Sequence, residues 1–262
     1  MGSLLTIVTQ NLNGKYDDDT IKENYMNALN ENRKIKPNIY AFQGFKRQTC
    51  SKKERSLTDF KVTLLANETV STVGNERAEA LWDEAFPWME FKSEYWKELE
   101  LSIDEISIDT EDITIINIHI LPPYAMALQN ILLKRLEELK GKKVILLGDF
   151  NAAFENQTEK PIKENDKFLK IIQDKGFKEL PFTEEKLEDC YTYIHRNENE
   201  PNGEKKKTDH IFISKNLKHY IINHPKIEYI GNISDSKEKG AHRGMLITLE
   251  FDFSKNKRLV FF

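Results

Sequence analysis

The stretch Val144-Ile145-Leu146-Leu147-Gly148-Asp149-Phe150-Asn151-Ala152-Ala153 constrains this chain more than any other. Its apolar run, Val144 to Leu147, suits a strand buried on both faces. The run ends in Gly-Asp-X-Asn. Gly148 allows an abrupt backbone turn, and Asp149 and Asn151 then project from the same edge of an extended segment. A carboxylate and an amide sharing a small space can hold a water, a cation or a phosphate. The same residues also make ordinary strand-to-loop turns, so the rest of the chain must decide.

The flanking pattern is of alternating strands and helices. Residues 4–11 read as a strand ending at Asn11-Leu12-Asn13-Gly14. Thr20-Ile21-Lys22-Glu23 fits a capping box, which predicts a helix to about Arg33. Pro37–Gln43 reads as a second strand, and Phe60–Leu65 as another. The aromatic segment holding Trp82, Phe86, Trp88, Phe91, Tyr95 and Trp96 suits core packing better than base stacking. Glu98–Asp109 and Asp112–Ile120 alternate as a hairpin does. Pro122-Pro123 opens a helix that Leu128, Leu132, Leu136 and Leu139 carry to Gly141. A strand at Val144 follows, which implies a parallel crossover. A helix from about Asn165 stops at Gly176. Cys190–His195, Asp209–Ser214, Lys226–Ile230 and Met245–Phe253 read as strands. Arg196–Lys207, with Pro201-Asn202-Gly203, reads as a surface loop, as does Asn232–Gly240. There is no internal repeat and no low-complexity linker, so residues 1–262 are expected to form one domain.

Composition sets the outer limits. A 262-residue chain with 39% hydrophobic residues can bury a substantial core. A net charge of -4 announces no general affinity for nucleic acid, although a local basic face would suffice. Mean hydropathy is -0.60, and no segment has the length of a membrane span. The N-terminal residues do not resemble a signal peptide. Cys50 and Cys190 are too few for a disulfide scaffold or a zinc cluster. A cytoplasmic monomer is the expectation, with a mature secreted form as the alternative.

Polar side chains recur where core strands begin or end: Asn11, Gln43, His119, Asp149, Asn151, Asp209 and His242. Several such coincidences point to a site along one sheet edge. The matching stretches are Thr9–Gly14, Ala41-Phe42-Gln43, Asn117-Ile118-His119, Leu147–Asn151, Thr208–Phe212 and His242 before the terminal strand. In this order they resemble the endonuclease/exonuclease/phosphatase superfamily, the deoxyribonuclease I-like fold, from Leu4 to about Phe253. The resemblance implies an α/β (α+β) four-layer sandwich, two packed mixed β-sheets flanked by helices, and metal-dependent phosphoester cleavage.

Carried onto this chain, the resemblance implies the following roles. Asp149 positions the attacking water, and Asn151 orients that water or a phosphate oxygen. Asp209 sets the tautomer of His242, which binds the scissile phosphate or exchanges protons. His119 stabilises charge or protonates the leaving group. Asn11 helps to hold the metal or Asp149, and Asn13 and Arg243 contact substrate. The implied cofactor is Mg²⁺ or Mn²⁺, and the implied partner is nucleic acid rather than a membrane. His210 should point away from Asp209, and His195, His219 and His224 read as ordinary surface histidines. Lys46-Arg47, Lys52-Lys53 and Lys205-Lys206-Lys207 suit backbone phosphates or plain solvent.

Two positions depart from the family pattern. Gly44 stands where the family has the metal-binding Glu after Gln, and Ala241 where it has an Asp before His. Neither offers a side-chain oxygen to a hard cation. The sequence therefore predicts a DNA endonuclease-like phosphodiesterase with weak metal binding and low or absent turnover. A non-catalytic nucleic-acid- or phosphate-binding relative and a phosphomonoesterase are the alternatives. Of three accounts of the two replacements, an active-site variant of a working nuclease is favoured over a natural relative that lost its chemistry. The third has Asp17–Asp19 or Asp235 supplying the missing ligands.

Overall fold

The computed structural model describes residues 3–11, 39–43, 103–108, 112–120, 122, 125–154, 166–180, 190–197, 200–230 and 240–256. The expectations for the helix at 20–33, the strand at 60–65, the aromatic segment, Asn13 and Gly44 lie outside these residues.

Two mixed sheets pack face to face. The first contains β1 (Ser3–Asn11), β2 (Ile39–Gln43), β10 (Lys226–Ile230) and β12 (Gly244–Phe251), in the order β10-β12-β1-β2. The second contains β3 (Ile103–Ile108), β4 (Ile113–His119), β5 (Lys143–Asp149), β6 (Phe177–Glu179) and β9 (Asp209–Ser214), in the order β3-β4-β5-β9-β6. β4 and β5 run parallel, joined by helix α1 (Ala125–Glu138) as the crossover. Helix α2 (Asp166–Asp174) follows, and Gly176 ends that segment with a left-handed φ of 91°. The fold is an α/β sandwich with helices flanking the sheets.

Strand periodicity explains the two layers of core. Leu5, Ile7, Ile39, Ala41 and Ile247 of the first sheet meet Ile113, Ile115, Ile145, Leu147, Ile211 and Ile213 of the second. The alternate residues of the second sheet, including Ile116, Ile118, Val144, Leu146 and Phe212, pack outward with Leu128, Leu132 and Leu136 of α1 and Phe168 and Leu169 of α2. β5 is buried on both faces, as its unbroken apolar run requires. Each inter-sheet row then changes character at one end. Following i, i+2 spacing, Leu5-Ile7 runs on to Asn11, Ile39-Ala41 to Gln43, Ile115 to Asn117 and His119, Leu147 to Asp149, and Ile211 back to Asp209. The polar end of the sandwich is thus a continuation of its apolar core.

Residues 196–207 depart from the expected loop. β7 (Tyr193–Asn197) and β8 (Glu200–Lys206) form a hairpin, which β11 (Gly240–His242) extends to a third, small sheet. A register shift between His195 and Asn197, together with φ of 75° at Gly203, accommodates Pro201-Asn202-Gly203. Pairing with β7 overrides the turn propensity of these residues. Lys207 is 1% exposed rather than solvated. Its Nζ donates to Glu179 Oε1 at 2.6 Å, and His210 Nδ1 meets the same oxygen at 2.7 Å. His210 Nε2 lies 2.8 Å from the Ala152 carbonyl, so the imidazolium is the ring form that satisfies both acceptors. Burial pushes the Glu179 carboxyl upward, but His210 and Lys207 outweigh it and bring it down to about 2. Burial pushes Lys207 down as well; one carboxylate faces it, whereas two cations face Glu179.

Two predictions follow from the packing. A Cβ on Gly148 would lie 2.1 Å from the Ile118 carbonyl oxygen, at a φ of 127° that side chains avoid. Gly148→Ala should destabilise the protein by at least about 2 kcal/mol, read as a lower denaturant midpoint, because strain and overpacking add. Glu179 is depressed from 4.5, so its contribution is complete above pH 4.5 and disappears as pH falls towards about 2. That contribution is on the order of 3 kcal/mol at neutral pH. Glu179→Gln should flatten the acid limb of a stability-versus-pH curve, and an unchanged limb would remove Glu179 as its source.

Candidate active site

Register places the site. His119 on β4 pairs with Asp149 on β5, and Asp149 pairs with Asp209 on β9. On the facing sheet Asn11 pairs with Gln43. β11 delivers His242, which pairs with Tyr193 of β7. Asn11, Asp149, Asp209 and His242 are all buried, and His119 is partly exposed.

Asp149 is the hub. Its Oδ2 accepts from Asn11 Nδ2 at 2.7 Å, a contact that crosses between the sheets. Its Oδ1 accepts from the Asn151 backbone N–H at 2.9 Å. This turn is possible because Asn151 takes a left-handed φ of 46°, which asparagine tolerates better than most residues. The Asn151 side chain donates to the Ile120 carbonyl at 2.8 Å, which ties the turn to the end of β4. The Asn11 amide is thus a direct hydrogen-bond partner of Asp149.

The Asp209–His242 pair forms as expected. His242 Nδ1 is 3.0 Å from Asp209 Oδ2, and this bond turns Nε2 towards Asp149 Oδ2 at 3.8 Å. Thr192 Oγ1 accepts the backbone N–H groups of Thr208 and Asp209, each at 3.0 Å, and so fixes the start of β9. The Tyr193 ring lies 4.7 Å from the His242 ring, centroid to centroid. His119 Nε2 is also 3.8 Å from Asp149 Oδ2 and 3.3 Å from Asn11 Nδ2. The Asn11 amide can only donate there, so His119 carries its proton on Nδ1.

These contacts set the proton affinities. Burial raises Asp149 most, the neighbouring Asp209 raises it further, and His242 and His119 pull back. Burial lowers His119, more than Asp149 raises it. The carboxylate and the imidazole thus move towards each other, which reduces the cost of passing a proton between them.

Ligand atoms of Asp149, Asp209 and His242 lie within 4.8 Å of one another. Two buried carboxylates flanked by imidazoles suit a divalent cation, which would relieve the burden that now raises Asp149. Asp209 is bound to His242, so Asp149 would be the main oxygen donor to such an ion. Nearby, Gln43 Nε2 donates to Thr9 Oγ1 at 3.0 Å and to Asn117 Oδ1 at 2.5 Å. Its buried Oε1 has no hydrogen-bond partner among the described residues.

Arg243, implied to contact substrate, packs beside two tyrosine rings. Its guanidinium lies 4.1 Å from the Tyr229 ring centroid and 5.0 Å from that of Tyr191, and its backbone N–H donates to the Thr192 carbonyl. It braces the segment after His242. Sequence reasoning passed over Thr192 and Tyr193; their place one strand from His242 exists only through the β7–β11 pairing.

At the level of sequence, no family model and no curated protein matches the chain. Solved structures do. The 3′ phosphatase NExo from Neisseria, bound to a product DNA hairpin, superposes with a TM-score of 0.57 at 14% identity, covering 95% of this chain and 100% of that one. The catalytic domain of Xenopus laevis APE2 gives 0.59 at 14% identity, with 94% and 93% covered. The endonuclease domain of TRAS1, a telomere-specific non-LTR retrotransposon, gives 0.53 at 15% identity, with 94% and 98% covered. No helix among the described residues is long and apolar enough to cross a membrane. The order of strands and the chain-wide superpositions agree: this protein has the endonuclease/exonuclease/phosphatase, deoxyribonuclease I-like, fold.

Proposed function

We propose that the chain is a phosphodiesterase of nuclease type acting on DNA, with activity reduced by Gly44 and Ala241. The observation that carries this reading is the convergence of Asn11, His119, Asp149, Asn151, Asp209 and His242 at one end of the sandwich. The nucleic-acid substrate is suggested by similar structures that include a DNA-bound phosphatase and an endonuclease domain. The reading takes the chain as one domain and a monomer.

Each residue has a part in the mechanism. Asp149, with its proton affinity raised, serves as base towards an attacking water. Asn11 and the Asn151 N–H hold that carboxylate in place. Asp209 orients His242 so that Nε2 faces the scissile phosphate. His119, neutral in the free protein, gains proton affinity as a phosphate approaches and then donates to it or to the leaving oxygen. A bound Mg²⁺ or Mn²⁺, held chiefly by Asp149, would neutralise charge on the phosphate oxygens. With no carboxylate at Gly44 or Ala241, such an ion is held weakly.

Two measurements test this. Restoring Gly44→Glu together with Ala241→Asp should raise Mg²⁺-dependent cleavage by at least about a hundredfold, the scale of losing key electrostatic groups. Plasmid, single-stranded DNA, RNA and a generic phosphodiester are the substrates to compare, and silence on all of them sinks the nuclease reading. His242→Ala should weaken binding of a phosphodiester dinucleotide by roughly tenfold, as expected for one charge-assisted hydrogen bond. Unchanged affinity by calorimetry would remove His242 from the phosphate site.

A further inference from the structure

The segment Thr208-Asp209-His210 grips the turn after β5 at both of its ends. The Phe150 N–H donates to the Thr208 carbonyl at 2.9 Å. Two residues on, the Ala152 carbonyl accepts from His210 Nε2 at 2.8 Å. Asn151 lies between these two bonds, with its φ of 46° and its N–H on Asp149 Oδ1 at 2.9 Å. Asp209, the middle residue of the segment, pairs with Asp149 across β5 and β9. The turn is thus stapled to the strand that also supplies the partner of His242.

The staple at Ala152 depends on how His210 is held. Its ring is fully buried. Nδ1 is fixed by Glu179 Oε1 at 2.7 Å, and Lys207 Nζ donates to the same oxygen at 2.6 Å. Phe150 and Phe154 meet the ring in T-shaped contacts, with centroids 5.6 and 5.9 Å away and interplanar angles of 85° and 90°. Held at Nδ1 and flanked by two aromatic rings, the imidazole has little freedom to turn, so Nε2 stays aimed at the Ala152 carbonyl. The turn needs such restraint, because a left-handed residue other than glycine costs roughly 1–3 kcal/mol. The Asn151 side chain ties the turn to the Ile120 carbonyl, and His210 ties it from β9.

We propose that His210 is a positioning residue for Asp149: its bond to Ala152 holds the turn in the conformation that aims the Asn151 N–H at the Asp149 carboxylate. Adjacent residues of one strand then serve the two halves of the site. Asp209 faces inward and orients His242, and His210 faces outward and holds the turn. Only the consequence for cleavage rests on the phosphodiesterase reading.

The test compares His210→Gln with His210→Met by hydrogen exchange in the full chain. The two side chains are similar in size, and both give up the imidazole that faces Glu179. Only glutamine carries an amide that can donate to the Ala152 carbonyl. In His210→Met, exchange at the Asn151 N–H should quicken at least about tenfold more than exchange at the β5 amides, the scale of one hydrogen bond from a charged donor. His210→Gln should recover most of that protection. General destabilisation quickens the β5 amides too, so it does not produce the difference. Should His210→Met fail to fold, His210→Asn takes its place, since the shorter amide reaches Glu179 but not Ala152. The second readout is cleavage in the Gly44→Glu, Ala241→Asp background, where the variant without the Ala152 bond should lose about tenfold in kcat with little change in KM, as for a misplaced base. Equal Asn151 exchange in the glutamine variant and its counterpart, or an unchanged kcat in a background that cuts, overturns the proposal. Lost Asn151 protection in a background that cuts nothing supports the positioning of Asp149 and sinks the phosphodiesterase reading alone.

Discussion

The bond from Asn11 to Asp149 is the interaction on which the polar end of this fold depends. A buried ionised carboxylate is among the most expensive groups a protein can carry, unless it is hydrogen-bonded and paired. Asp149 meets that demand with partners drawn from different parts of the chain. Asn11 reaches across from the other sheet, and Asn151 supplies its N–H from a left-handed turn. Gly148 lets β5 pass close to Ile118 before that turn. Each partner presupposes the register and spacing of the two sheets. The inter-sheet core therefore acts as the jig that holds the site, and the site's residues are the last members of the core rows.

β9 separates two kinds of buried charge. Asp209 faces inward to His242, and the adjacent His210 faces outward to Glu179 and Ala152. Alternation alone puts them on opposite faces. Their electrostatics differ accordingly. Glu179 sits between two cations and is held firmly ionised. Burial raises the proton affinity of Asp149, and the neighbouring carboxylate of Asp209 raises it further. The first arrangement is a clamp that fastens β6 and the loop after Asn151 to β9. The second leaves a group ready to exchange protons. Burial is the common cause, and the sign of the neighbour decides the outcome.

How much of this the sequence discloses varies with the range of the interaction. Strands at Asp209–Ser214 and Lys226–Ile230 emerge with their observed bounds, because apolar alternation and flanking polar residues act locally. The Asp209–His242 pair is legible only through ordered motifs that resemble a family. The orientation of His210 follows from alternation next to Asp209. Lys207 illustrates the failure. In a run of three lysines beside Pro201-Asn202-Gly203 it looks solvated, yet it is buried because Glu179 lies 28 residues upstream in a three-residue strand too short to recognise. The tyrosines beside Arg243 are likewise distant in sequence: Tyr229 lies on β10 and Tyr191 two residues before β7, which no local pattern brings together. The helix at 20–33 and Gly44 lie outside the described residues.

The two family departures gain a physical meaning from this electrostatic setting. The polar end already buries Asp149 and Asp209, and among the described residues both face imidazoles. On the proposed reading, a glutamate at 44 and an aspartate at 241 would add two more negative charges to the same small volume. Without a cation, such a cluster would take up protons or loosen the sandwich, as like charges do in low dielectric. With one, the added oxygens would complete a hard-ion site. On the same reading, Gly44 and Ala241 would shift a balance, easing the site's need for a metal while reducing its means of holding one. The hydrogen bonds around Asp149 and His242 do not depend on those two side chains. On the proposed reading, an end that keeps these bonds while its cation affinity is reduced would hold a phosphate longer than it takes to cut one.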